Sequence, residues 1–448
     1  MAGGTFNAMN KVRPGAYINF ETEPDTVINV GERGIAALTM PLSWGVQDNI
    51  ITLSSEDLIS GESLSKVGLV YSDSNALLLR LALANCSTLK IFSSKTSGIK
   101  ATKTIETTGG DGLVVTAKHA GTFGNKIAIL IKVVDSTATV ETYADGYFVD
   151  RQNVATTGIA SLEDNDFVTF SGTGTLKTTA STLLTGGTDG SDVSNLYSTF
   201  FNKLKDIQWN TVAITSTTAA DLTLAGTFIQ QMRENEGKYV QAVVANASSA
   251  DYEGLINVVN GVILEDNTNV TAAQFTAWVA GATAGATMTE SLTGKIVTGA
   301  IGIVGQLTND EIVTALQSGK FVLSLNQNGA IKVEKDINSL HTFTSTKGYV
   351  FSKNRIIRER DEIGSSIKNI WETTFLGKVN NNDTGRMLFK SSIIDYLSDL
   401  LTKGAIEDLN KDLIIVEAGN DIDSVIASIA VKLIDSTEFL YMTVNITR

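Results

Sequence analysis

Residues 211–246 read TVAITSTTAADLTLAGTFIQQMRENEGKYVQAVVAN, and this stretch decides the fold class. A short strand-like run, TVAITS, leads into a helix-period segment, AADLTLAGTFIQQMRENEG, and then into a second strand-like run, YVQAVVAN. That order implies parallel strands joined by a crossover helix. The rhythm continues with SADYEGLINVVN (249–260) as a second helix and GVIL (261–264) as a third strand. Upstream, TVINV (26–30) and GIAALTM (34–40) read as strands. DSNALLLRLALAN (73–85) reads as a helix opened by an Asp73/Ser74 cap, and STLKIFSS (87–94) as the strand after it. The repeated β–α order predicts a mainly parallel sheet covered on both faces.

Between these blocks the texture changes. From about 96 to 190 the chain is rich in Thr, Gly and Ser, with short alternating runs (LVVTAKH, KIAILIKVV, TATVETY, YFVDRQNV, DFVTFSG) separated by Gly or Asp turns. This predicts an all-β insert. The expected fold class is α/β (mixed α+β) and multidomain, with an α/β core, an inserted β-rich domain and extended terminal strands. The expected divisions are an arm over 1–20, a core over 21–95 plus 191–340, the insert over 96–190 and a C-terminal region over 341–448. In that last region SSIIDYLSDLLTKG (391–404) predicts a helix, with Ile393, Ile394, Leu397, Leu400 and Leu401 on its apolar face, Ser392 and Asp395 as a capping box and Lys403-Gly404 as the stop.

At 448 residues the chain predicts two to four domains. Its net charge of −13 disfavours nucleic acid as a partner, because a phosphate backbone would be repelled. The single cysteine, Cys86, forbids an intramolecular disulfide and fits folding in a reducing cytoplasm. The N-terminus lacks an apolar signal core, and no apolar run has the length of a membrane span, so neither secretion by a cleaved signal nor membrane insertion is expected.

Chemistry is sparse. His119 and His341 lie in different segments and stand in no zinc-ligand spacing, and Cys86 sits on an apolar helix face, where a buried small hydrophobe is expected. GTFGNK (121–126) lacks the flanking residues of a phosphate loop, and GAIGIVG (299–305) has glycines at the wrong intervals for a dinucleotide fold. DGSD (189–192) reads as a solvated turn. Asp395 and Asp399 stand one turn apart, either as a wet surface or as an acidic docking stripe. No catalytic residue, metal or cofactor is expected, and the chain is not read as an enzyme.

The two ends carry a different signal. In STEFLYMTVNITR (436–448), Leu440, Met442, Val444 and Ile446 alternate with Phe439, Tyr441 and Thr443, so both faces of a strand are apolar. VRPGAYINFET (12–22) is a second such arm, with Val12, Ala16, Ile18 and Phe20 alternating with Arg13, Tyr17 and Asn19. Two pairing-competent arms either pair with each other or add to a sheet edge of neighbouring copies. Head-to-tail exchange of that kind propagates as rings or helices.

NKVRPGAYINF, GTFGNKIAI, LLTGGTDG, KVEKDINSLHTFTSTKGYVFSKNRIIRERDEI and EFLYMTVNI, taken in this order, resemble contractile phage tail sheath proteins, in particular those of Gram-positive myophages and of headless phage-tail-like bacteriocins. The resemblance spans essentially the whole chain. It implies a structural subunit, made in the bacterial cytoplasm and built into a tail, that polymerises with itself as stacked six-membered rings around an inner tube. Contraction of those rings drives the tube through a cell envelope. It further implies the inner tail tube protein, baseplate and tail terminator proteins as partners, exchange of strands through both arms, and an outward-facing insert. A C-terminal helix would face the tube, with Ser391, Asp395, Ser398, Asp399 and Lys403 as its polar positions. Charge adds an expectation: 391–448 holds ten acidic and four basic side chains and 347–378 holds seven basic and four acidic, which suits complementary patches between copies or simply two solvated faces. The rival readings are a surface adhesin with a β-rich recognition domain and a nucleotide-binding α/β enzyme, the second lacking any phosphate loop.

Overall fold

The computed structural model describes residues 34–446, together with the backbone of two short strands, Ala2–Gly4 and Gly15–Tyr17, which pair in parallel. Of the arm positions, Val12, Ile18 and Phe20 lie outside the described residues, as does the TVINV run, while Ala16 and Tyr17 fall in the second short strand.

The centre is a seven-stranded sheet in the spatial order Lys320–Phe321, Leu255–Val258, Gln241–Ala245, Thr211–Ala213, Ile35–Met40, Thr88–Ser93 and Ile50–Ser54. All neighbours run parallel except the last pair. Its central strands are apolar on both sides because both sides are covered. Ala36, Leu38 and Met40 face one core with the helices Leu77–Leu83 and Ala272–Gly285, while Ile35 and Ala37 face another with Leu196–Leu204 and Ala219–Gln230. The two helices on the first face cross at backbone distance: a Cβ on Gly281 would stand 2.0 Å from the Ala82 carbonyl oxygen, and one on Gly285 1.7 Å from that of Asn85.

Two expectations fail here. SADYEGLINVVN forms no helix; Leu255–Val258 is a fully buried strand of the sheet, and Asn257 spends its amide on both backbone groups of Ala247. A short run apolar on every side fits a doubly covered strand as well as a buried helix, and the sheet position wins. GVIL is a strand, but it leaves the parallel sheet to pair antiparallel with Asn269–Val270 and Ala300–Val304.

Residues 100–183 fold as two antiparallel sheets, one of three strands and one of four, around a shared core that includes Leu113, Val115, Ile127, Ile129 and Val168. Trp44, from outside these sheets, is fully buried in that core. Its indole N–H donates to the Ser65 carbonyl at 2.8 Å, and its ring lies 5.7 Å from Phe167 and 5.2 Å from Phe123. The chain enters and leaves the β-rich region at one point, where the Thr96 amide donates to the Ser191 carbonyl at 2.8 Å.

Replacing residues 97–190 by a short Gly-Ser linker should therefore leave the parallel sheet folded but strip the cover from Trp44. Far-UV circular dichroism should retain the helical signal, dye binding should report an exposed apolar patch, and Trp44→Ser in the shortened chain should remove that binding. Loss of the helical signal in both shortened chains would show that the sheet needs the insert.

Candidate assembly interface

The net-basic stretch 347–378, read from sequence as a patch between copies or a solvated face, contains KNRIIRERDEIG, which the structure largely buries. Its helix, Asn354–Ile370, is buried along most of its length, including Arg355, Arg358, Glu359, Asp361 and Glu362. An unpaired charge cannot be buried cheaply, so each cation has found an acid. Arg358 bonds Asp336 at 2.9 Å with both side chains 1% exposed, and Asp336 also accepts from Asn354 Nδ2 at 2.8 Å and from the Leu292 amide at 3.0 Å. Arg233, from the parallel-sheet region, grips Asp361 with two bonds of 2.7 Å; burial opposes its charge, but Asp361 more than offsets that and holds its pKa above the usual range. Glu253 takes Lys347 at 2.8 Å and Arg360 at 3.5 Å. These pairs weld the C-terminal region to the central sheet, and most of the cations counted in 347–378 are held within the subunit.

The C-terminal helix runs over Asp383–Thr402, longer than expected. Its cap is Asn382, whose side chain accepts from the Gly385 amide at 2.8 Å. Ser392 is therefore not a cap but sits mid-helix, donating to the Leu388 carbonyl at 3.2 Å. Ile393, Leu397 and Leu400 are buried with Phe389 and Tyr396, whereas Ile394 is half-buried and Leu401 is exposed. On the outer face lie Ser391, Asp395 and Asp399, with Ser398 half-buried at its edge. Lys403, just past the helix end, pairs with Asp399 at 2.6 Å, and Asp395 makes no ion pair among the described residues. The sequence reading missed Met387 and Leu388, one to two turns earlier on this face and 71% and 52% exposed, so the outer face is apolar at one end and acidic at the other.

After the helix, a hairpin of Ile414–Ala418 and Val425–Ile429 packs one face on it and leaves Ile415 and Ile426 exposed on the other. It stands alone as a two-stranded sheet, so both its edges carry unpaired backbone groups. The chain then makes a last two-residue pairing at Lys432–Leu433 and a final backbone bond from Ile434 to Ala405. Glu438 is anchored, its carboxylate meeting Lys353 and accepting from Thr293 Oγ1 at 2.8 Å. Beyond it, Phe439, Leu440, Tyr441, Met442, Val444 and Ile446 are 63–92% exposed and join no ladder among the described residues.

Three sections of the chain match the phage tail sheath family: the β-sandwich domain at residues 96–189, the central domain at 191–339 and the C-terminal domain at 346–447. The chain is 35% identical over the full length of both sequences to the phage-like element PBSX protein XkdK of Bacillus subtilis. Its structure resembles the sheath tail protein of Desulfitobacterium hafniense, at 38% identity and a TM-score of 0.81, covering 95% of this chain and 98% of that one. The chain belongs to the phage tail sheath family. The fold also extends to the helical sheath of the anti-feeding prophage in its contracted state, with a TM-score of 0.56 at 10% identity over 96% and 98% of the two chains.

A tail sheath chain is a structural protein, and its polar side chains here serve structure. Burial pushes the Cys86 thiol up to about 12. Burial and the neighbouring Lys118 and Lys100 push the His119 imidazole down, and His119 packs edge-on against Trp44. His341 lies against Asp251 in a different part of the molecule. Among the described residues no group of three or more His, Cys, Asp or Glu side chains is placed to hold a metal, and no helix is long and apolar enough to cross a membrane.

One buried acid in the charged helix is out of balance. Glu359 is fully buried; one oxygen receives Arg355 Nε at 3.2 Å and the other has no partner among the described residues. Burial pushes its carboxyl up to about 7, against the pull of Arg355 and with the push of Asp435. Between about pH 4.5 and 7 the folded chain thus keeps a proton that the unfolded chain releases, so this group's stabilising contribution is complete below pH 4.5 and is lost as pH rises through 7. Glu359→Gln should raise the melting temperature relative to the parent at pH 8 and change it little at pH 5. A difference that stays flat across this range would show that Glu359 ionises normally.

Proposed function

We propose that this chain polymerises as stacked six-membered rings around an inner tail tube and that contraction of the polymer drives the tube through a cell envelope. The observation that carries this reading is the uncovered tail after Glu438. Its apolar side chains join no core cluster of their own body, yet burial of each would stabilise an assembly by about 1.5–3 kcal/mol before the cost of ordering the chain. A strand apolar over most of both faces belongs inside a sheet, and the lone hairpin of Ile414–Ala418 and Val425–Ile429 offers open edges and the exposed side chains of Ile415 and Ile426 to receive it from another copy. Phe439, Leu440, Tyr441, Met442, Val444 and Ile446 form one exchange arm; Val12, Ala16, Tyr17, Ile18 and Phe20 form the other. The β-sandwich lies on the outside of the polymer.

The outer face of the C-terminal helix meets the tube through Ser391, Asp395, Ser398, Asp399 and Lys403. Because Asp399 is already matched by Lys403, Asp395 carries the free negative charge toward a basic tube surface. The baseplate and the tail terminator cap the two ends of the polymer. The subunit is made in the bacterial cytoplasm and works as part of a tail or a phage-tail-like particle.

Removing residues 439–448 should leave circular dichroism and melting temperature unchanged and abolish the tubes or stacked rings seen by negative-stain microscopy. An earlier-melting or aggregating monomer would mean that the strand completes its own subunit. Separately, Asp395→Lys should weaken binding to purified tube at low salt while sheath self-association persists, and the difference should shrink as salt is raised. Equal tube binding at low and moderate salt would remove this face from the interface.

A further inference from the structure

A strand apolar on both faces has a weakness: its side-chain pattern does not say which residue should stand opposite which. Slipping an ordinary half-buried strand by one residue turns its apolar set to solvent, and that cost fixes the register. For Phe439–Met442 a one-residue slip exchanges one apolar face for another, and only Thr443 and Asn445 farther along oppose it. The first half of the strand must therefore have its register set from outside.

The root of the tail supplies it. Lys353, at the cap of the charged helix, and Glu438 form an ion pair with both side chains only 6% exposed, and Asp435 stands 3.2 Å from the same ammonium. Burial works against the Lys353 charge, but Glu438 and Asp435 outweigh it and raise its pKa. The second Glu438 oxygen accepts from Thr293 Oγ1, which in turn accepts from the Asp336 amide at 2.9 Å, so the tail is tied into the same buried network as Arg358. One residue on, Lys335 Nζ lies 5.3 Å from the Phe439 ring and 5.3 Å from the Tyr349 ring, and bonds the Tyr349 hydroxyl at 2.7 Å. The grip ends there.

Resting on the exchange reading above, we infer that the Lys353–Glu438 pair, steadied by Lys335 against Phe439, positions the exchanged strand: it fixes where the tail leaves its own body and thereby the register in which residues 439–446 pair with another copy. At about 3.3 Å per residue the free segment reaches roughly 26 Å, which confines the receiving edge to that distance from Glu438.

The test uses the full-length chain. Glu438→Gln and Lys353→Met should each raise the critical concentration for polymerisation by about tenfold, because a tail released at its root must be ordered when it pairs with another copy. Lys353→Arg, which keeps the charge, should remain within about threefold of the parent. Amide hydrogen exchange over 439–446 in the polymers that do form should change from one protection pattern to a mixture of patterns in the Glu438→Gln and Lys353→Met chains, an effect that a merely less stable monomer would not produce. If Lys353→Met fails to fold, Glu438→Gln, which keeps its bond to Thr293, decides the matter alone. Unchanged critical concentration and an unchanged exchange pattern in Glu438→Gln would overturn the inference. Assembly by the chain lacking 439–448 would instead overturn the exchange reading beneath it.

Discussion

The contact between Arg358 and Asp336 is the joint on which the rest of the molecule depends. Removing one partner of such a buried pair typically costs about 3–5 kcal/mol, because the survivor is left as an unpaired charge away from water. Asp336 is also bonded to Asn354 and to the Leu292 amide, and its own amide donates to Thr293, which holds Glu438. A single aspartate thus ties together, through its carboxylate, the first residue of the charged helix and the loop after the long buried helix and, through its amide and Thr293, the root of the C-terminal tail. Arg233 with Asp361 and Glu253 with Lys347 repeat the pattern toward the sheet. The central sheet and the charged helix are joined by bonds that are directional and short.

That economy of charge has a consequence for assembly. Most of the cations of the charged helix are occupied within the subunit, and the uncovered surfaces near the C-terminus include the apolar tail and a helix face that runs from Met387 to Asp399. Apolar contacts are non-directional and tolerate sliding and repacking, whereas buried ion pairs do not. The fold therefore places its rigid interactions inside the subunit and its adaptable surfaces outside.

The parts legible in the sequence were those whose period or composition is local. The strand–helix–strand rhythm of 211–246 and the alternating Thr- and Gly-rich runs of the insert give the architecture because each signal is complete within a few residues. LINVV was misread because a short, wholly apolar run has no period to distinguish strand from helix. Ser392 and Asp395 imitate a capping box, but the true start at Asn382 is hidden behind Gly385, a poor helix former held in place by a cap bond. The charged helix was the largest miss. Arg, Glu and Asp in a run are the composition of a wet surface, and nothing near Arg358 or Asp361 in the chain announces Asp336 or, 128 residues away, Arg233. Burial of charge is a property of distant partners, and single-sequence periodicity cannot see them. The tail's apolar alternation was legible, but its anchor was not, for the same reason: Glu438 and Lys353 are 85 residues apart.

The anchor and the tail make sense only together. A free apolar end invites indiscriminate pairing, since it matches any open sheet edge in either register. Pinning its root limits the edges within reach, and the contact of Lys335 with Phe439 orients the first residue of the arm. The hairpin imposes the complementary limit, because a two-stranded sheet packed on a helix can gain strands only at its two edges and only in its plane. Specificity in such a contact comes less from the contacting side chains, which are interchangeable in their greasiness, than from geometry set by buried charges at the tail's root. An exchanged strand of this kind can be strongly apolar and still selective, because the selection is made before the strand begins.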